Sequence, residues 1–138
     1  MNNIGGFEQV RHRERAMLQV AVALACLVPI GAGLAGAIQG PALTGGMGPV
    51  EMDSHFRYLS GLLLGIGLAF AALVPRIERA GGLFRPLAAI VFVGGLARLG
   101  AVVVMGWPPL PTTLALVMEL AVTPLLALWQ ARIARLAG

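Results

Sequence analysis

Four apolar runs, each long enough to cross a bilayer, constrain this chain more than any other feature. They lie at about 16–38, 54–74, 84–105 and 111–129. A hydrocarbon core of ~30 Å takes ~20 residues of helix to span. In lipid every backbone N–H and C=O must be satisfied inside the segment, so a run of this length is a helix and not an open hairpin. The reading is an all-α integral membrane four-helix bundle, one domain over residues 1–138. Composition agrees. Hydrophobic residues make up 58% and charged residues 12%, with a mean hydropathy of +0.86. Soluble domains carry about twice that share of charge.

The basic residues fix an expected orientation. All ten are arginine. Arg11, Arg13 and Arg15 precede the first run, Arg76, Arg79 and Arg85 surround the turn after the second, and Arg132 and Arg135 follow the fourth. The connections Gly40–Val50 and Gly106–Pro111 hold none. Positive residues stay on the cytoplasmic side. Both termini are therefore expected in the cytoplasm of a bacterial inner membrane, in a multi-pass protein. A sequence pI near 11 suggests nucleic acid in a soluble protein. Here the charge sits at span ends and reads as topology, so no nucleic-acid partner is expected. The first run exceeds the 7–15 residues of a signal-peptide core and is read as an uncleaved helix. Cys26, alone in an apolar run, is read as a small buried residue.

Two arginines break the pattern. Arg57 lies about a turn inside the second run, and Arg98 lies deep in the third. Glu119 lies at matching depth in the fourth: Arg98 is seven residues before Met105 and Glu119 eight residues after Pro111. A charge at bilayer depth costs ~3 kcal/mol or more and normally has a partner. Short connections make antiparallel neighbours, so an Arg98–Glu119 ion pair is expected. Asp53, Arg57, Gly61 and Gly65 share one drifting helix face. The two glycines make a small-x-x-x-small step suited to close packing. Asp53 also suits a cap on the second helix. Thr112, Glu119, Thr123 and Gln130 share a sector of the fourth helix. Gly94 is placed beside Arg98. With His55 at the outer mouth, the ligand-pocket candidates are Asp53, His55, Arg57, Arg98, Glu119 and Thr123.

Those residues carry no metal-ligand spacing and no nucleophile motif. No cofactor or metal is expected, and no catalytic residue is assigned. Three functions are consistent with the pattern. The leading one is a non-enzymatic binder or transporter-like protein whose outward polar pocket takes a small molecule or lipid headgroup. The second is an accessory subunit, or a homo-oligomer, in which Arg98 and Glu119 staple helices together. The third is a membrane enzyme with Glu119, Asp53 or His55 as acid or base. The lipid bilayer is the partner common to all three.

The segment His55-Phe56-Arg57-Tyr58-Leu59-Ser60-Gly61, followed by Ile77-Glu78-Arg79, Phe84-Arg85, Phe92-Val93-Gly94-Gly95-Leu96-Ala97-Arg98 and Glu119-Leu120, resembles a bacterial family of small four-helix membrane proteins. That family is domain of unknown function 4345. The resemblance runs from about Leu18 to Arg132. It implies four transmembrane helices and supplies no activity. Its polar positions fall on Arg57, Arg98 and Glu119. In architecture the chain is also broadly similar to DoxX-like membrane proteins.

Overall fold

The computed structural model describes residues 3–46 and 48–137. The extreme termini, whose sidedness is part of the expected topology, lie outside the described residues. The chain is all-α, with four long apolar helices and no strand among the described residues. Helix α1 is Asn3–Gln39, α2 is Val50–Leu73 and α3 is Gly81–Met105. The fourth long helix is composite. It comprises α4 (Leu110–Val117), a π turn (Met118–Val122) and α5 (Thr123–Ala137). Two short 3₁₀ segments, Gly40–Thr44 and Val74–Arg79, join α1 to α2 and α2 to α3.

Each helix overruns its apolar run. Helix α1 begins at Asn3 rather than near residue 16, because the charged stretch 8–15 continues the same helix. Helix α2 begins at Val50, so Asp53 sits inside its first turn and Pro49 holds the N-cap position. Pro49 suits that boundary, since proline offers no N–H and none is needed there. Apolarity marks only the part of a helix that must sit in lipid; polar turns extend beyond it.

The chain divides into two compact units. One comprises residues 1–19 and 76–138, the other residues 20–75. In the first, the buried residues include Leu18, Ile77, Phe84, Ala88, Leu116 and Ile133. In the second the buried apolar side chains, among the described residues, are Val22, Cys26 and Phe70. Cys26 is a free, buried thiol, as expected. Large apolar side chains are mostly outside: Leu24, Leu27, Leu59, Leu68, Ile90, Val103, Leu125 and Leu128 are all exposed. That distribution suits a lipid solvent. Apolar surface facing hydrocarbon carries no hydration cost, so helix association depends on close backbone approach and polar contacts.

Close approach in the second unit comes from α1. A Cβ on Gly33 would lie 2.5 Å from the Leu64 amide nitrogen and 2.7 Å from the Ser60 carbonyl oxygen. One on Gly36 would strike the Ser60 hydroxyl. The Gly61/Gly65 step, expected to serve this purpose, faces open space. Of the α2 glycines, Gly67 is the one packed against α1, through Ile30.

Candidate functional site: two arginine clamps

Arg98 and Glu119 meet as expected. The Arg98 Nε donates to Glu119 Oε2 and Nη2 to Oε1, each at 3.0 Å. This is a bidentate fork, the strongest geometry an arginine–carboxylate pair adopts. Two backbone features produce it. The first is Gly95, one turn before Arg98. A Cβ there would lie 2.8 Å from the Glu119 Cβ and 2.8 Å from Leu120 Cδ2, so only glycine lets α3 come this near. Gly94, which the sequence placed beside Arg98, faces open space. The second is the π turn that carries Glu119. Pro124 supplies its cause: the proline ring has no N–H and crowds the carbonyl four residues back, at Leu120. Widening that turn by one residue relieves the clash. The Thr123 hydroxyl donates to the Met118 carbonyl at 2.8 Å, alongside the Thr123 backbone N–H that already reaches the same oxygen.

The pair is asymmetric. Glu119 is 15% exposed and Arg98 is 39% exposed. A guanidinium has five N–H donors, and the fork uses two. Among the described residues Arg98 has no further partner, so both Nη1 hydrogens and one on Nη2 are uncommitted.

Arg57 forms the second clamp, inside the other unit. Its Nε donates to Asp53 Oδ2 at 2.7 Å and its Nη2 to Asp53 Oδ1 at 3.3 Å. Its Nη1 donates to the carbonyls of Ala37 at 3.0 Å and Ile38 at 2.7 Å. Those carbonyls belong to the last turn of α1, where no intrahelical N–H is left to reach them. A cation there also complements the helix dipole. The chain turns away at Gly40, whose φ is +61°. A Cβ there would lie 2.7 Å from both Arg57 Nη2 and Asp53 Oδ1, so glycine is required twice over. Four of the five Arg57 donors are therefore committed within the chain. Asp53 does not cap α2; its carboxylate is turned to Arg57. His55 is exposed, with Nδ1 3.1 Å from the Glu51 carbonyl oxygen.

Of the six candidates, the structure joins Asp53 to Arg57 and Arg98 to Glu119. Thr123 braces the turn that holds Glu119. Gln130, placed in the same sector as Glu119, is fully buried, and its Nε2 donates to the Ile77 carbonyl at 2.9 Å. Other polar contacts escaped the sequence reading. Arg15 meets Glu78 at 3.1 Å, and Arg132 meets Glu14 at 3.1 Å. These arginines were visible only as topology signals, since nothing in the sequence pairs residues 118 positions apart.

The match to a family of known sequences covers residues 17–130 and is described as domain of unknown function DUF4345. The chain belongs to this family. The region matched includes both clamps, Gly40, Gly95 and the π turn, and leaves out the charged first turns of α1. No curated protein and no solved structure matches the chain, and the broader likeness to DoxX-like proteins gains no support from these comparisons. Family and fold together make this a multi-pass membrane protein by helix length and apolarity.

Proposed function

We propose that this protein is a non-enzymatic binder of the bacterial inner membrane, with its termini in the cytoplasm. Its ligand is a small molecule or lipid headgroup bearing an anionic group, and Arg98 is the ligand contact. One observation carries the reading: a guanidinium deep in an apolar helix keeps three unused donors and is 39% exposed. Lipid tails offer those donors no acceptor, and an unsatisfied charged group in hydrocarbon is costly. An oxyanion arriving beside Glu119 satisfies them, and a planar fork is suited to carboxylate or phosphate. Arg57 is less suited, because Asp53 and two carbonyls already occupy it.

The test is to extract the protein gently and identify what it retains by native mass spectrometry. Wild type should carry an anionic compound. Arg98→Lys, which keeps the charge but loses the fork, should release it while remaining folded. Wild type that carries nothing, in a protein where Arg98→Leu with Glu119→Leu folds normally, overturns the reading.

A second reading has its own support. The completed fork between Arg98 and Glu119 and the internal saturation of Arg57 both favour an accessory subunit of a membrane complex, or a homo-oligomer. In that case the free face of Arg98 meets an acceptor on a neighbouring chain. Retention of a protein partner that Arg98→Lys releases distinguishes it from ligand binding.

A further inference from the structure

A cleft of about 180 Å³ opens in the first unit, at the arginine-rich ends of the helices. Arg11, His12 and Arg15 of α1 line one side, Glu78 and Arg79 the other, and Ile133 of α5 lies in its wall. Seventeen residues of α3 separate its Gly81 start from Arg98, or ~26 Å at 1.5 Å per residue. The cleft is therefore not the Arg98 site and does not rest on that reading.

Its charges are not balanced. Three arginines face one carboxylate, and that carboxylate is taken by Arg15 at 3.1 Å. Arg11 and Arg79 make no hydrogen bond or ion pair among the described residues, unlike Arg15, Arg57, Arg98 and Arg132. The fold thus brings two uncommitted guanidiniums to one concave site. They come from segments far apart in sequence, so the arrangement is not a local charge run.

The level of the cleft narrows the ligand. Arg79 lies five residues after the second apolar run, and Arg11 lies five residues before the first. The site therefore stands where hydrocarbon gives way to the polar layer. Phosphate groups occupy that layer, and basic pockets between helices there take anionic headgroups. Guanidinium binds phosphate through two parallel donors. We infer that the Arg11–Arg79 cleft binds an anionic phosphate group, with Arg11 and Arg79 as its contacts and the apolar wall at Ile133 beside the rest of the molecule.

The experiment uses the full chain in detergent, offered equal amounts of phosphatidylglycerol and the phosphate-free lipid diacylglycerol and weighed by native mass spectrometry. Wild type should retain phosphatidylglycerol about tenfold over diacylglycerol. Arg11→Gln with Arg79→Gln should erase the preference. Arg11→Lys with Arg79→Lys should keep part of it, since charge survives and the fork does not. The thermal midpoint of the glutamine variant should stay at the wild-type value, because among the described residues neither arginine has a hydrogen bond or ion pair to lose. Millimolar inorganic phosphate separates the two sources of the group: displacement of the lipid identifies a free phosphate as the occupant, and retention identifies the lipid headgroup. Equal retention of both lipids by wild type, with no binding of inorganic phosphate, overturns the inference. So does a glutamine variant that keeps the preference.

Discussion

Each intramembrane arginine here depends on a glycine. Gly95 admits Glu119 to Arg98, and Gly40 makes room for the Arg57 fork. Gly95→Leu should separate α3 from the π turn and cost about as much as stranding the charges, ~3–5 kcal/mol. Folded yield of Gly95→Leu should match that of Arg98→Leu and Glu119→Leu singly, and the Arg98→Leu, Glu119→Leu double variant should recover part of it. A double variant as poor as the sum of the singles would show that the two residues do not act as partners. Arg57→Lys offers a point charge where four directed donors were used. At ~1 kcal/mol per hydrogen bond lost, it should lower the stability of the α1–α2 unit by ~1–2 kcal/mol, read as a lower midpoint in thermal unfolding. An unchanged midpoint would mean that the carbonyls of Ala37 and Ile38 find other donors.

At the scale of the element, the π turn Met118–Val122 interrupts the fourth long helix between α4 and α5. It is one residue too many for its turn, and the extra residue rotates all of α5 by about 100° relative to α4. That rotation lets Glu119 face Arg98 while Gln130 reaches the Ile77 carbonyl. Deleting Ala121 should restore an ordinary helix and break one of the two contacts. The expected loss is on the order of 3 kcal/mol if Glu119 is the one displaced. Hydrogen exchange distinguishes the outcomes, since the deleted variant should open first near residues 118–122 or near residues 77–80. Equal protection throughout would mean that the turn is incidental. Pro124 was the only trace of this turn in the sequence. A proline inside a helix signals a kink, but its consequence here, a widened turn just before it, depends on how the clash is relieved.

At the scale of the whole molecule the decisive quantity is sidedness. The arginine bias predicts both ends of the chain inside and the Gly40–Val50 connection outside. In a Cys26→Ser background, Gly46→Cys should react with an impermeant thiol reagent added to intact cells, and Ala137→Cys should react only after lysis. Reaction of Ala137→Cys in intact cells would reverse the topology. It would also move the Arg11–Arg79 cleft to the opposite leaflet.

The sequence by itself determined the class, the number of spans and the partnership of Arg98 with Glu119. All three stem from one physical constraint: hydrocarbon tolerates neither unpaired backbone nor unpaired charge. That constraint acts on each run separately and so can be read from linear order. The tertiary structure decided which glycines serve as contacts, that Arg57 caps the end of α1 rather than standing free, and that Glu14, Arg15, Glu78 and Arg132 form ion pairs. Those outcomes depend on which face of one helix meets another. Lipid, being as apolar as the side chains, gives no amphipathic stripe to mark that face. Helical phase and the directed bonds of the arginines settle it, and both exist only once the helices are packed.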